Sequence, residues 1–136
     1  MKGIFITIEG TDGSGKSTQI QLLTKYLNGK GCDVLFTREP GGTRISEKIR
    51  EIILDTSNSE MTGMTEALLY AAARAQHVEE KIIPAVNEGK IVICDRFVDS
   101  SIAYQGAARG LGSDLIIEIN KFALRGMMPD ITLFFD

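Results

Sequence analysis

The chain has 136 residues, which is enough for one domain with a real hydrophobic core. Its 43% hydrophobic and 24% charged residues are ordinary for a soluble globular protein, and no apolar run approaches the length of a membrane span. The net charge of −3 argues against a nucleic-acid binder, which needs a basic surface.

A glycine-rich segment follows the first predicted strand, residues 3–9. In "EGTDGSGKST", the spacing from Gly10 to Gly15-Lys16-Ser17 is that of a phosphate-binding loop, whose backbone N–H groups converge on phosphate oxygens. A flexible glycine-rich turn is the alternative, but a buried strand before the segment and a helical pattern after it favour the loop. The predicted phosphate site comprises Gly10, Thr11, Asp12, Gly13, Ser14, Gly15, Lys16, Ser17 and Thr18.

Two side chains of this loop have specific predicted roles. Lys16 can reach the outer phosphates of a bound nucleotide as a point charge, and the Ser17 hydroxyl can ligate the Mg²⁺ that bridges them. The following helix points its positive end at the same anion.

The second predicted strand, 33–37, ends in "TREPGGTRI". Thr43 is a plausible N-cap for a helix over 45–53, and Glu39 before Pro40 projects at the edge of the sheet. A helix entry with solvated charges explains these residues equally well.

A long helical region is predicted over 64–88, divided or kinked by Pro84. Tyr70 and Arg74 are four residues apart, so they share a face and could stack on and hydrogen-bond a base. A core tyrosine beside a surface arginine is the commoner arrangement. His77, the single histidine, is predicted to be partly exposed and without a role.

The third predicted strand, 90–94, leads into "CDRFVDSSIAYQG". Asp95 suits Mg²⁺ as the acidic partner of Ser17, and Arg96 could clamp a phosphate. A surface ion pair between Asp95 and Arg96 is the alternative. In the predicted helix 99–108, hydroxyl, phenol and amide groups could bind a heterocycle and a sugar, or could simply face solvent; these groups are Ser100, Ser101, Tyr104 and Gln105.

With a helix over 114–124 and a strand over 130–135, strands alternate with helices along the whole chain. This order predicts an α/β fold with a parallel sheet, and ligands beyond the carboxyl ends of its strands. Cys32 and Cys94 lack ligand spacing, and the N-terminus lacks a secretory signal pattern. We therefore expect buried free thiols in a cytoplasmic protein, with a disulfide or metal role as the lesser alternative.

Five segments together resemble bacterial thymidylate kinases along the length of the chain. They are "EGTDGSGKSTQ", "TREPGGT", "TEALLYAAARAQH", "DRFVDSSIAYQGAARGLG" and "PDITLFFD". The resemblance implies a three-layer P-loop nucleoside monophosphate kinase fold with strand order 2-3-1-4-5, and a homodimer. It also implies transfer of the ATP γ-phosphoryl group to dTMP with Mg²⁺ as cofactor, without nucleic-acid or membrane partners.

The resemblance also assigns roles in dTMP binding to individual residues. Asp12 would meet the deoxyribose 3′-hydroxyl and Tyr104 the sugar, and Tyr70 would stack on thymine. Arg74, Ser101 and Gln105 would approach the base. The dTMP phosphate would meet Arg50 and Arg96, with Glu39 ordering the site. The implied catalytic residues are Lys16, Asp95 and Arg96.

Two departures from the family pattern concern arginines. Some members carry an arginine where this chain has Gly13, whereas others supply catalytic arginines from a lid after the fourth strand. The chain fits the second type, and we expect residues 1–136 to be a single domain that lacks the lid and the fifth strand. Two alternative interpretations are a kinase for another nucleotide and a nucleotide-binding module without turnover.

The phosphate-loop hypothesis predicts that Lys16→Ala abolishes kinase activity of the full-length gene product while the fold stays intact. The loss should correspond to about 3 to 5 kcal/mol of transition-state stabilisation, typical of a lost phosphoryl-transfer contact. Coupled ADP-release rates measure it, with circular dichroism as the folding control. Activity within a few-fold of wild type would contradict the loop assignment.

Overall fold

The computed structural model describes residues 2–10 and 15–135, and only the backbone of Tyr104 and Ala108. The strands are β1 (Ile4–Gly10), β2 (Val34–Arg38), β3 (Ile91–Asp95) and β4 (Ile131–Phe135). The α-helices are α1 (Lys16–Gly29), α2 (Arg44–Leu54), α3 (Gly63–His77), α4 (Ile83–Asn87), α5 (Val98–Ser101) and α6 (Ser113–Leu124). Two π-helical segments complete the elements, π1 (Val78–Ile82) and π2 (Ile102–Ala108).

The four strands form one parallel sheet in the order β2-β3-β1-β4. This is the predicted order for the strands present, and each predicted strand lies within one residue of the observed one. Because all strands run the same way, their carboxyl ends at Gly10, Arg38, Asp95 and Phe135 meet at one edge. The predicted site segments therefore converge there.

Alternate strand residues form two hydrophobic cores, one on each face of the sheet. On one face, Phe5 is fully buried and meets the Phe97 ring edge-on at 5.0 Å between centroids. Val78 and Ile82 of π1 pack on the same face. On the other face, α1 supplies Ile20. Because both faces of the sheet are covered, most residues of the strands are apolar.

The predicted division of the long helix occurs at π1. The ring of Pro84 crowds the carbonyl group four residues earlier, at Glu80, and it removes a backbone donor. The α-helical ladder is replaced by π1 around Glu80, and the helical path then continues as α4. Pro84 thus redirects the hydrogen bonding rather than ending the helix.

Helix α3 packs between α2 and α6. As predicted, Thr43 caps α2, because its hydroxyl accepts the Ser46 N–H at 3.1 Å. The buried Ser46 hydroxyl in turn donates to the Ala73 carbonyl oxygen at 2.8 Å. These bonds fix the loop after β2 against α3, where both border the candidate site.

Both cysteines are free thiols, as predicted, but only Cys94 is buried, whereas Cys32 is half-buried. Within the part of the chain that the structure describes, every helix is too short or too polar to cross a membrane.

Candidate active site

The predicted phosphate loop joins β1 to α1. Thr11, Asp12, Gly13 and Ser14 lie outside the described residues. Gly15, directly before α1, has φ of 82°, a left-handed conformation that glycine adopts without steric cost. The first turn of α1 has neither an acidic residue nor a side-chain cap, so its backbone N–H groups can serve an anion. Ser17 and Thr18 are exposed on this turn.

Lys16 is buried and forms an ion pair with Asp95, with 2.7 Å between Nζ and Oδ1. Asp95 ends β3, which pairs directly with β1, so the sheet register brings the two predicted catalytic residues together. The predicted magnesium ligands Ser17 and Asp95 line the same cleft. The described residues contain no cluster of three metal-ligating side chains. A hydroxyl and a carboxylate nevertheless suit Mg²⁺, which keeps several waters and is bound through few protein groups plus phosphate.

Arg96 follows Asp95 in a left-handed conformation with φ of 70°, which is uncommon for a residue with a side chain. Its N–H donates to the Ile8 carbonyl oxygen at 2.8 Å. The next residues are held by Glu9, whose carboxylate accepts the Phe97 N–H at 3.0 Å and the Ser100 hydroxyl. Glu9 thus fixes the conformation of the turn that orients Arg96.

Sequence reasoning missed this function of Glu9. The available signal was an acidic residue at the end of an otherwise apolar strand, where a charge needs a buried partner. The side chain is only 4% exposed. Burial raises the pKa of the Glu9 carboxyl against the opposing hydrogen bonds from Ser100 and Phe97, and the charge of Asp99 adds to the rise.

A pocket beside this turn gathers most of the residues predicted to bind the acceptor. It is lined by Glu39, Pro40, Tyr70, Arg74, Arg96, Phe97, Ser100, Ser101 and Gln105. Ser101 and Gln105 are each 2% exposed, so the alternative of a solvent-facing polar helix is wrong for these two. The side chain of Tyr104 lies outside the described part of the molecule. Arg50 reaches the pocket wall from α2, and its Nη1 donates to the Pro40 carbonyl oxygen at 2.8 Å.

Arg74 and Glu39 form a buried ion pair at the base of the pocket, with 2.6 Å between Nε and Oε1. The alternatives weighed from the sequence are therefore wrong for these two residues, since Arg74 is not a surface arginine and Glu39 is not a solvated charge. Arg74 Nη1 also donates to Asn120 Oδ1 at 2.7 Å, and its guanidinium lies 5.2 Å from the centre of the Phe97 ring. The aromatic face further stabilises the cation.

His77 corrects the sequence analysis, because its side chain is fully buried rather than partly exposed. Its Nδ1 lies 2.8 Å from Glu39 Oε2, and its Nε2 lies 2.7 Å from Thr37 Oγ1. We call Thr37, Glu39, Arg74, His77 and Asn120 the Glu39 network. His77 follows Arg74 by three residues on α3, which was the one local sign that both could meet the same partner.

Comparison with known proteins places these features in a family. The family model for thymidylate kinase matches residues 8–136. A thymidylate kinase from a Geobacillus species is 63% identical over all of this chain, which covers 65% of that relative. One from Clostridium novyi is 56% identical over 99% of the chain, covering 66% of the relative. The chain thus spans just under two thirds of the length of these relatives. The crystal structure of thymidylate kinase from Ehrlichia chaffeensis superposes with a TM-score of 0.90 at 41% identity, covering all of this chain and 76% of that one.

The environment of Glu9 predicts a specific dependence of stability on pH. Since the pKa of Glu9 is raised by folding, the folded state holds its proton more tightly than the unfolded state does. The free energy of unfolding of wild type should exceed that of Glu9→Gln by the largest amount at pH values below the ordinary carboxyl pKa. This difference in unfolding free energy should decrease as the pH rises through the raised pKa of folded Glu9. Denaturant unfolding across this pH range measures the difference.

Glu47→Gln provides a control of opposite sign. Burial acts to raise the pKa of Glu47, but hydrogen bonds from Arg38 and the Gly42 N–H outweigh it, so this pKa is lowered. The advantage of wild type over Glu47→Gln should therefore be present at neutral pH and be lost as the pH falls. A Glu9 difference that followed the Glu47 trend would contradict the proposed environment of Glu9.

Proposed function

The chain belongs to the thymidylate kinase family, and on this premise we propose that its full-length gene product transfers the ATP γ-phosphoryl group to dTMP. The observation that carries the proposal is the position of Arg96. This residue lines the acceptor pocket and also a second cleft that begins at Gly10, where the phosphate loop starts. We infer that the Arg96 guanidinium would lie between the donor and acceptor phosphates.

On the donor side, the loop from Gly10 to Thr18 would bind the phosphates of ATP, with Lys16 on the β- and γ-phosphates. Ser17 and Asp95 would hold Mg²⁺, which neutralises the charge on these phosphates. The 2.7 Å pair between Lys16 and Asp95 keeps the lysine inside the site before any ligand enters. Arg96 would offset the repulsion between donor and acceptor phosphates, so catalysis consists of positioning and charge stabilisation.

On the acceptor side, Tyr70 would stack on thymine while Arg74, Ser101 and Gln105 bind the polar edge of the base. Two nitrogens of Arg74 already donate to Glu39 and Asn120, so the remaining N–H groups of its guanidinium would serve the base. Arg50 and Arg96 would hold the dTMP phosphate, with Asp12 and Tyr104 at the sugar. Reaction in the cytoplasm is part of the same proposal.

The acceptor assignment predicts a preference for dTMP in a steady-state comparison of kcat/KM with dTMP, dUMP, UMP and AMP. A pocket shaped for the thymine methyl group should favour dTMP over dUMP by about 10-fold or more. Tyrosine at position 104 should crowd a ribose 2′-hydroxyl and further disfavour UMP. Higher kcat/KM with UMP or AMP would overturn the acceptor assignment. Binding of dTMP by calorimetry without ADP release would overturn the proposal of turnover.

We also propose that the protein acts as a homodimer, which the family resemblance implies. Helices α3 and α6 each present apolar side chains away from their buried faces. Leu68 on α3 is 51% exposed, and Phe122 on α6 is 86% exposed. We infer that the dimer interface covers both of these side chains.

The dimer proposal predicts that Phe122→Glu shifts the full-length gene product from dimer to monomer in sedimentation velocity, because it places a charge in an apolar interface. Leu22→Glu is the matched control, since Leu22 is 55% exposed but lies on α1. The control should sediment as wild type does. A monomeric wild type, or an unchanged Phe122→Glu variant, would contradict this interface.

A further inference from the structure

The Glu39 network is a continuous series of short polar contacts with almost no access to water. From β2 to α6, the contacts run Thr37 to His77 at 2.7 Å, His77 to Glu39 at 2.8 Å, Glu39 to Arg74 at 2.6 Å and Arg74 to Asn120 at 2.7 Å. None of the five side chains is more than 5% exposed. The proposed function uses Arg74 and Glu39 but gives no role to His77.

The ion pair between Glu39 and Arg74 depends on both oxygens of the carboxylate being satisfied. A buried ion pair is favourable only when its geometry is good and additional hydrogen bonds complete the shell of each charge. Oε1 accepts from Arg74, and Oε2 faces His77. Loss of the His77 donor would leave Oε2 buried without this partner, and the carboxylate could then rotate away from Arg74.

The two nitrogens of His77 have unequal roles. An ionised carboxylate only accepts hydrogen bonds, so the contact with Glu39 requires the proton on Nδ1. The Thr37 hydroxyl can either donate or accept, so it adapts to Nε2 in either protonation state. The Nδ1 contact therefore specifies the orientation of Glu39, whereas the Nε2 contact supports the ring.

The loop after β2 prevents the imidazole from shifting. Gly42 has φ of 95°, and a methyl group at its Cα would lie 2.4 Å from His77 Nε2 and 2.7 Å from Thr37 Oγ1. Only a glycine fits so near the ring. The same loop is also held by Lys81, which donates to the Gly42 carbonyl oxygen at 2.7 Å. The close approach of Gly42 thus restricts movement of the ring relative to Glu39.

We propose that His77 is a positioning residue of the acceptor pocket. Its Nδ1–H fixes the Glu39 carboxylate, and this carboxylate fixes the Arg74 guanidinium at the angle at which it meets the acceptor base. His77 itself touches no substrate. The inference rests on the proposed function, because the acceptor base is what Arg74 would bind.

Two substitutions separate the nitrogens of His77 in the full-length gene product. In His77→Asn, the side-chain amide can occupy the place of Nδ1 and still donate to Glu39. In His77→Gln, the amide reaches the place of Nε2 and leaves Glu39 without its donor. A purely structural role predicts similar losses for the two variants, since both replace the ring by a smaller amide.

We expect His77→Gln to raise KM for dTMP about 10-fold, the effect of losing one hydrogen bond to a charged group, while KM for ATP stays unchanged. His77→Asn should stay within about 3-fold of wild type for both substrates. Equal KM values for dTMP in the two variants would overturn the proposal. Melting temperatures of both variants report whether the fold is retained.

A readout that does not depend on activity separates this inference from the proposed function. The Nε–H proton of Arg74, assigned with Arg74→Lys, should exchange slowly with solvent in wild type and in His77→Asn, and faster in His77→Gln. Equal exchange in all three proteins would overturn the positioning role even if dTMP is the substrate. Differential exchange in a protein that does not phosphorylate dTMP would leave the positioning of Arg74 supported and the proposed function refuted.

Thr37→Val is a milder variant if both His77 substitutions prevent folding. It removes only the partner of Nε2, so KM for dTMP and the Arg74 exchange rate should match those of wild type. A 10-fold rise in KM for dTMP in Thr37→Val would overturn the assignment of the positioning role to Nδ1.

Discussion

The buried ion pair between Glu39 and Arg74 is the constraint on which the acceptor side of the site depends. Removing two charges from water costs several kcal/mol for each, so the pair is tolerated only where the surrounding groups satisfy it closely. Those groups come from four parts of the fold: the end of β2, helix α3, helix α6 and the Phe97 ring after β3. The requirement to satisfy one carboxylate therefore determines how these elements meet at the edge of the sheet.

A second constraint acts on the donor side and comes from strand register. Because β1 pairs with β3 in parallel, Glu9 and Asp95 end up on adjacent strands at the same edge. Glu9 holds the turn of Arg96, and Asp95 holds Lys16. Two cationic side chains are thus directed into the site by carboxylates that belong to the sheet. Groups held in this way need little reorganisation when a charged ligand arrives.

Local sequence patterns predicted the elements well but not the partners of buried polar groups. Motif spacing and apolar runs depend only on neighbouring residues, so they can be recognised directly in the sequence. Examples are the spacing of Gly10, Gly15 and Lys16 and the apolar runs of the strands. The partner of Glu9 is Ser100, separated from it by 91 positions, and that of Arg74 on α6 is Asn120, separated by 46. Local sequence patterns cannot predict these pairings, because the two partners are brought together only when the chain folds. The same limit explains why the sequence predicts a partly exposed His77: periodicity indicates which face of a helix is buried, but not whether a histidine on that face has two hydrogen-bond partners.

The Glu39 network also has a consequence for how this sequence can change over generations. Replacing Glu39 or Arg74 alone strands the other buried charge, at a cost of about 3 to 5 kcal/mol. That is a large share of the total stability of an ordinary domain, about 5 to 15 kcal/mol. A lineage can therefore lose the glutamate or the arginine only if a compensating change arises at a contacting position. Glu39 and Arg74 should therefore be inherited together, and where homologues differ at one of these two positions they should also differ at the other or at a residue that contacts it, such as Asn120.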